Sequence, residues 1–239
     1  MIPRTNRGGG RRRKCAMNRA AWAVVLLGLG WTVSAGELFH CSFAQNAWSP
    51  KQWILVKSPR WNYFGGWVQR ADCIENQTPA GVSEKDLLGK RAAETYTSMV
   101  LDRRFSGNIT VQAGMEFTDR MAPLIVIAPV LGRDGKGRPE YREHFEVVIF
   151  DRGVNVWHHF FDNGRPSWIK AAYWRFPLEA NHRYRLTVRL GRNSHGRTLT
   201  LRVAGHEMGY SDPSLPREFY VGITGCEGRN RFYDFRVEN

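Results

Sequence analysis

The sequence has few cysteines and none of the common patterns of a metal-binding or nucleophilic site. It holds 4 cysteines in 239 residues, with no CxxC pair and no Cys/His cluster at zinc spacing. This argues against a structural metal. The sequence contains no GxSxG element, which would indicate a serine nucleophile. It also contains no Asp-rich loop, which would indicate bound calcium. We therefore predict neither a metal ion nor a cofactor.

The sequence also lacks internal repeats, Pro- or Ser-rich linkers and an apolar run of full transmembrane length. The apolar run at residues 20–31 is interrupted only by glycines. It is short for a transmembrane helix, which needs about 20 apolar residues. An uncleaved membrane anchor is thus the weaker reading of this run. Without a linker, residues 36–239 are predicted to form a single domain, of a size common among β-sandwiches.

The N-terminal segment has the organisation of a secretory signal peptide. Basic residues at 11–14 and Arg19 precede the apolar run, and residues 33–35 supply the small side chains of a cleavage site. We predict cleavage after Ala35, which makes the mature protein secreted or periplasmic, with no stable membrane anchor. Met17 is an alternative start, because the sequence from there to Ala35 is a complete short signal.

Much of the positive charge lies in that segment. The formal net charge is +13, and residues 1–35 hold seven Lys and Arg and no acidic residue, which leaves +6 for the mature chain. The argument for a nucleic-acid partner is therefore weak, and we predict none. The remaining charge favours an acidic partner, such as an anionic polysaccharide, through long-range attraction. The alternative is a basic surface that only keeps the protein soluble.

Three cysteines remain after the predicted cleavage, namely Cys41, Cys73 and Cys226. Exported proteins meet an oxidising compartment, so we predict one disulfide bond and one free thiol. The sequence does not indicate which two cysteines pair.

From residue 36 onward the pattern is that of an all-β protein. Short runs rich in Val, Ile, Phe, Tyr and Trp alternate with turn residues, such as DRG at 151–153 and DNG at 162–164, which predicts antiparallel hairpins. One helix is predicted at Ser83–Glu94, capped by Ser83. Two sheets that cover each other's apolar faces follow from about ten strands. The predicted strands are 37–43, 98–105, 109–117, 124–128, 144–150, 154–161, 167–175, 183–190, 198–203, 219–224 and 232–237.

Three segments of the second half are arranged as in a known family. Residues 145–157 (FEVVIFDRGVNVW) read as strand, tight turn and strand, and residues 183–210 as two strands around a short polar loop. Residues 221–237 end in a Gly-Ile strand and an aromatic strand. This half resembles the concanavalin A-like lectin/glucanase (LamG-like) superfamily, above all its exported bacterial members of uncharacterised function. The resemblance, looser over residues 37–130, implies a two-sheet antiparallel jelly-roll β-sandwich whose concave face holds sugar.

The catalytic pattern of the family 16 glucanases is absent. Those enzymes carry Glu-x-Asp-x-x-Glu or Glu-x-Asp-x-Glu on one strand, and the nearest segment, HFEVVIFD at 144–151, does not. Retaining hydrolysis needs two carboxyl groups about 5–5.5 Å apart, and the sequence offers no clear pair. The resemblance therefore implies a fold and leaves the activity open.

Strand alternation places polar and aromatic side chains together on one predicted face. Phe145, Val147 and Ile149 form the apolar core face of their strand. Aromatic rings cover the C–H faces of a pyranose while polar groups bond its hydroxyls. The alternative is that these side chains only pack against one another. The predicted outer, concave face carries Glu146, Asn155, Trp157, His159, Trp168, Lys170 and Trp174.

Two functions follow from this set, and both stay open. The first is a carbohydrate-binding protein that holds a polysaccharide or oligosaccharide on Asn155, Trp157, Trp168, Lys170 and Trp174. The second is a carbohydrate-active enzyme that uses the same cleft, with Glu146 and His159 as catalytic residues. A hydrolase would pair Glu146 with a second carboxylate such as Asp151. A lyase would need a His or Tyr base and a cation or amide to neutralise the uronate, and His159, Tyr173, Arg175 and Asn155 supply those types.

Overall fold

The computed structural model describes residues 36–194 and 196–239, so the predicted signal peptide lies outside the described residues. Nearly all regular structure is β-strand. The first eight strands are β1 Glu37–Ser42, β2 Trp53–Leu55, β3 Trp67–Gln69, β4 Ile74–Asn76, β5 Thr97–Leu101, β6 Phe105–Ser106, β7 Ile109–Phe117 and β8 Met121–Arg133. The other eight are β9 Pro139–Phe150, β10 Gly153–Asp162, β11 Arg165–Arg175, β12 Tyr184–Asn193, β13 Gly196–Val203, β14 His206–Ser211, β15 Glu218–Gly225 and β16 Asn230–Glu238.

The strands form two antiparallel sheets, which confirms the predicted all-β sandwich. Sheet 1 has the order β14-β13-β12-β7-β16-β4-β3, with β1 also paired to β16. Sheet 2 has the order β11-β10-β9-β8-β15-β5-β2, with β6 also paired to β15. Sequence neighbours β8 to β11 lie side by side, because tight turns join consecutive antiparallel strands. The short strands β2, β3 and β4, and the strand β14, were not predicted.

Sheet 2 is apolar on both faces over its central strands. In β8, Ile125 and Ile127 face the core between the sheets, while Leu124 and Val126 belong to a second apolar cluster on the outer face. Successive side chains of a strand point to opposite faces, so β8 reads as a continuous apolar run. Val56, in the segment after β2, covers part of the outer cluster. Residues 56–61, the roofing segment, therefore cover part of the outer face.

The helical region is shorter than the predicted helix. An α-helix, α1, spans Glu84–Leu88, and 3₁₀ helices span Pro50–Gln52 and Ala92–Glu94. The Ser83 hydroxyl accepts a hydrogen bond from the Asp86 N–H at 3.2 Å, as a capping residue does. The helix ends early because Gly89 leaves the helical conformation, with φ −114° and ψ −118°. None of the described helices is long and apolar enough to cross a membrane.

The predicted disulfide bond is not formed among Cys41, Cys73 and Cys226, which are all free in the described chain. Cys41 packs in the core between the sheets, whereas Cys226 packs against the outer cluster of sheet 2. Sheet 2 therefore stands between these two thiols. Burial raises the pKa of Cys41 to about 12 and that of Cys73 to about 11, so both remain protonated thiols.

Candidate functional site

The hairpin formed by β9 and β10 aligns the predicted site residues. A two-residue turn makes Phe150 the partner of Gly153, and from there Glu146 lies opposite Trp157 and His144 opposite His159. Gly153 has φ +124°, which favours glycine. A Cβ atom there would lie 2.0 Å from the Trp174 carbonyl oxygen of β11. The turn thus fixes which side chains share the outer face.

A pocket of about 260 Å³ opens on the outer face of sheet 2. Four predicted site residues line it together, namely Glu146, Asn155, Trp157 and His159. The other lining residues come from the roofing segment (Ser58, Arg60, Trp61), from β8 and β9 (Met121, Ala122, Leu124, Val148, Phe150), and from Tyr96, Cys226 and Glu227. The sequence therefore located one wall of the pocket.

The roofing segment is anchored at Lys57, directly before the pocket residues. Its backbone N–H donates to the Pro139 carbonyl at 2.8 Å, and its carbonyl accepts from the Tyr141 N–H at 3.1 Å. The Lys57 ammonium also pairs with the buried Glu140 carboxylate at 3.0 Å. These bonds hold the segment that carries Arg60 and Trp61 beside the start of β9.

Trp168 and Lys170 lie on the same face as the pocket, at its β11 side. Trp168 pairs with His159 across the strands, and the residue is 45% exposed. The Arg60 guanidinium lies over two rings, 4.2 Å from the Trp168 centroid and 4.8 Å from that of Trp61. The Lys170 ammonium lies 5.5 Å from the ring centroid of Trp157. Two cations and several indole rings therefore border the pocket.

The structure separates Trp174 from this set. Trp174 lies opposite Val154 and packs, partly buried, against the core between the sheets. A β-bulge between Val156 and Trp157 gives β11 one extra residue, which reverses the alternation beyond it. Tyr173 consequently takes the outward position beside Asn155. The prediction assumed an unbroken alternation from Trp168 to Trp174.

Asp151, the second carboxylate suggested for hydrolysis, does not line the pocket. Its Oδ2 accepts from the Arg120 guanidinium at 3.3 Å, at the hairpin turn. The second carboxyl group of the pocket is Glu227, directly after β15. The Asn230 side-chain amide donates to the Cys226 carbonyl at 2.9 Å, which steadies this turn.

Two histidines converge on the buried Glu146 carboxylate. His144 Nε2 lies 3.3 Å from Glu146 Oε1, and His159 Nε2 lies 3.1 Å from Glu146 Oε2. The second contact lacks hydrogen-bond angles, so His159 Nε2 has no hydrogen-bond partner among the described residues. The Tyr96 hydroxyl donates to Glu146 Oε1 at 3.4 Å. Glu146 and His159 line the pocket, and His144 lies behind them with Tyr141 stacked on its ring at a centroid distance of 4.3 Å.

Burial and neighbouring charges shift these groups in different directions. Burial, aided by the nearby His159, lowers the pKa of His144 to about 4. Burial alone would raise the pKa of Glu146, but the two histidines hold it well below its usual range. For Glu227, burial raises the pKa, the Glu146 charge adds to the rise, and Arg60 opposes it. One pocket therefore contains two carboxyl groups with different proton affinities.

The pocket residues that come from distant segments of the chain were not predicted. Arg60 and Trp61 reach the pocket through the bridge between Lys57 and Glu140. Tyr96 and Glu227 reach it because β8, β15 and β5 are neighbours in sheet 2. No local pattern reports that order of strands. His144 was not among the predicted site residues, although strand alternation puts it on the same face as Glu146. The sequence did contain a signal for it, because His144 lies six residues before Phe150 and His159 six residues after Gly153, which the two-residue turn joins, and this spacing puts the two histidines opposite each other.

Comparison with known proteins supports the fold and gives no close relative. No protein-family model matches the sequence, and no curated protein matches it. The carbohydrate binding module CBM66 from Bacillus subtilis superposes with a TM-score of 0.52 at 14% identity, covering 79% of this chain and 96% of the module. A Bacillus subtilis protein of unknown function with a galectin-like fold gives 0.56 at 13% identity, covering 85% and 96%.

A third match is the κ-carrageenase from Pseudoalteromonas carrageenovora, solved with an oligotetrasaccharide of κ-carrageenan. It gives a TM-score of 0.53 at 8% identity, covering 89% of this chain and 98% of the enzyme. The class of the protein is therefore a two-sheet jelly-roll sandwich. More narrowly, it is a domain of the concanavalin A-like lectin/glucanase fold, as the sequence resemblance implied. Identities this low show the fold alone.

Proposed function

We propose that the protein binds a saccharide in the pocket on the outer face of sheet 2. The observation that carries the proposal is the composition of this pocket, where the indole rings of Trp61 and Trp157 stand beside Arg60, Asn155 and Glu227. Rings of this kind cover the C–H faces of a sugar, and the polar groups bond its hydroxyls. The named functions of the binding module and the carrageenase agree with a saccharide ligand.

The cations at the pocket border favour an anionic saccharide. Within the described chain, neither Arg60 nor Lys170 forms an ion pair with a carboxylate. The Arg60 guanidinium is held instead between the Trp61 and Trp168 rings. A guanidinium fixed in this way meets a carboxylate or sulfate group with little loss of side-chain freedom. The proposal includes a secreted or periplasmic location, which rests on the N-terminal sequence.

A carbohydrate-active enzyme is the second candidate function. The observation that favours it is the presence of Glu146 and Glu227 in one pocket. Burial raises the pKa of Glu227, which suits a proton donor. Hydrolases use one protonated and one ionised carboxyl group on the two sides of a glycosidic bond. In this reading Glu227 gives a proton to the leaving oxygen.

One experiment separates the two functions. The purified protein is run in native gels that contain polygalacturonate, κ-carrageenan or a neutral glucan, and the same mixtures are assayed for new reducing ends and unsaturated uronate. Retardation by an anionic glycan without product supports a binding protein. Product supports the enzyme, and its loss in Glu227→Gln supports the role of that residue. Migration unchanged by every glycan, with no product, contradicts both functions.

The control variant for binding is Arg202→Ala. Arg202 lies on β13 of sheet 1, is exposed, and pairs only at the surface with Glu207. Its removal takes away the same charge as Arg60→Ala at a site remote from sheet 2. Retardation that falls in Arg60→Ala and persists in Arg202→Ala assigns the binding to the pocket.

A further inference from the structure

Two imidazoles and one carboxylate converge beneath the pocket. One ligand atom from each of His144, Glu146 and His159 lies within 4.8 Å of the others. All three residues are buried. They come from the adjacent strands β9 and β10, where the hairpin register fixes their relative positions. A rigid pair of strands holds a ligand set more accurately than loops do.

The donor separations suit a first-row divalent cation. Zinc binds imidazole nitrogen and carboxylate oxygen at about 2.0–2.2 Å in a tetrahedral arrangement, which puts neighbouring donor atoms about 3.3 Å apart. Glu146 Oε1 lies 3.3 Å from His144 Nε2, and Glu146 Oε2 lies 3.1 Å from His159 Nε2. Each histidine nitrogen is therefore at the zinc donor spacing from one oxygen of the carboxylate, and one ligand atom from each residue lies within 4.8 Å of the others. Two nitrogens and one oxygen leave a fourth position for water or substrate, as in catalytic zinc sites.

The hydrogen bonding of the cluster is incomplete without a cation. Within the described chain, no Lys or Arg pairs with the Glu146 carboxylate, although it is buried. A buried carboxylate without a cation is costly. His159 Nε2 points at this carboxylate from 3.1 Å but makes no hydrogen bond. An ion between these atoms would supply a fixed positive charge beside the carboxylate and a partner for His159 Nε2.

We propose that His144, Glu146 and His159 bind one divalent transition-metal ion whose open position faces the pocket. Glu146 and His159 line the pocket and His144 lies behind them, so the ion enters from the pocket side. The Tyr96 hydroxyl, which donates to Glu146 Oε1, and the Tyr141 ring stacked on His144 hold two of the ligands in place.

The bound ion would also favour an anionic saccharide in the pocket, an inference that rests on the proposed function. When both are ionised, Glu146 and Glu227 give the pocket a negative charge, which opposes an anionic sugar. A bound dication offsets these charges and adds to the attraction of Arg60. A carboxylate of the saccharide then completes the coordination of the ion.

The metal site is tested with zinc alone. Full-length protein stripped with a chelator is titrated with Zn²⁺ by calorimetry, and with Co²⁺ while its visible absorption is recorded. We expect one ion per chain, a tetrahedral Co²⁺ spectrum, and binding at least tenfold weaker in Glu146→Gln. Equal zinc affinity in the wild type and Glu146→Gln overturns the site, and so does the absence of binding in the wild type.

The matched control is Glu143→Gln. Glu143 also contacts a histidine of β10, His158, at 2.9 Å, but belongs to no cluster of three ligands among the described residues. Its zinc affinity is expected to equal that of the wild type. If circular dichroism shows that Glu146→Gln does not fold, His159→Gln takes its place, with the same expected loss.

Zinc binding and saccharide binding are measured in separate experiments, so that the metal site and the proposed saccharide function can each be contradicted independently. The zinc titration contains no saccharide, and a failure to bind any glycan leaves its result standing. The gels are then run with the stripped and the zinc-loaded protein. Retardation by polygalacturonate is expected to increase with zinc, and an unchanged or weaker retardation contradicts coordination of the saccharide carboxylate.

Discussion

His144 and His159 lie directly opposite each other in the β9–β10 hairpin, with their imidazole rings 4.5 Å apart and within 10° of parallel. Two protonated imidazoles at this distance would repel each other. Burial also favours the neutral form and lowers the pKa of His144 to about 4. His144 is therefore a neutral nitrogen donor beside the Glu146 carboxylate, which is the form in which histidine binds metals.

The turn at Gly153 is expected to control the geometry of this pair. A Cβ atom at this position would meet the Trp174 carbonyl oxygen at 2.0 Å, in addition to the positive φ of +124°. Gly153→Ala is therefore expected to lower the free energy of unfolding by about 3 kcal/mol or more. Urea unfolding measures the loss, and the zinc titration of the folded variant reports on the ligands.

Gly164→Ala is the matched control for that substitution. Gly164 also has a positive φ, +77°, in the next hairpin turn, and a Cβ atom there would meet nothing within 4 Å. The free energy of unfolding of this variant should fall by only about 1 kcal/mol, the cost of placing a non-glycine residue at positive φ. Equal losses in the two variants would contradict the steric argument for Gly153.

Arg60→Ala is expected to weaken the binding of anionic polysaccharide more than tenfold. The guanidinium stands over the Trp61 and Trp168 rings, and a charged hydrogen bond to a ligand contributes about 1.5–3 kcal/mol. Dissociation constants from gels at increasing glycan concentration measure the effect. Added salt should weaken the wild type more than the variant, because the variant has lost a charge contact. An equal salt dependence in both contradicts a direct ionic contact.

The parts of the site that were predictable are those fixed by local chain geometry. A two-residue turn sets the register of β9 against β10, and alternation then puts Glu146, Asn155, Trp157 and His159 on one face. The same alternation gave the wrong face for Trp174, because β11 contains a bulge. One inserted residue reverses every later side chain, and no residue type in that strand marks its position.

The remaining pocket residues depend on topology and not on pattern. Glu227 follows β15, which pairs with β8 although more than eighty residues separate them in the sequence. Arg60 arrives through an isolated bridge between Lys57 and Glu140. Long-range pairings of this kind are chosen by the packing of the whole sandwich. The sequence therefore predicted the class of fold and one wall of the site.

Asp234 is expected to stabilise the protein at neutral pH and to lose that effect in acid. Burial alone would raise its pKa, but hydrogen bonds from Arg185 at 2.8 Å and the charges of Arg185 and Arg183 hold it below its usual value. The stabilisation is therefore present above the unfolded-state pKa and is lost as the pH falls through the lower folded-state pKa.

The measurement is the free energy of unfolding of the wild type and of Asp234→Asn between pH 7 and pH 2.5. A deficit of about 2 kcal/mol is expected for the variant at pH 7, since hydrogen bonds to a charged group contribute about 1.5–3 kcal/mol. The deficit should narrow below about pH 4, where unfolded aspartate becomes protonated. A deficit that stays constant to pH 2.5 would show that the carboxylate charge is not the cause.

Cys41 and Cys73 are expected to be thiols that react only after unfolding, whereas Cys226, which lines the pocket, is expected to be a thiol that reacts slowly in the folded protein. Burial raises the pKa of each, that of Cys226 well above its usual value, and the thiolate is the reactive form. Alkylation of native and unfolded protein at pH 8, followed by mass spectrometry of the three peptides, measures this. Labelling of Cys41 and Cys73 in the unfolded protein alone fits the buried free thiols of the structure. A peptide that stays unlabelled until a reductant is added would instead establish the disulfide predicted from the sequence.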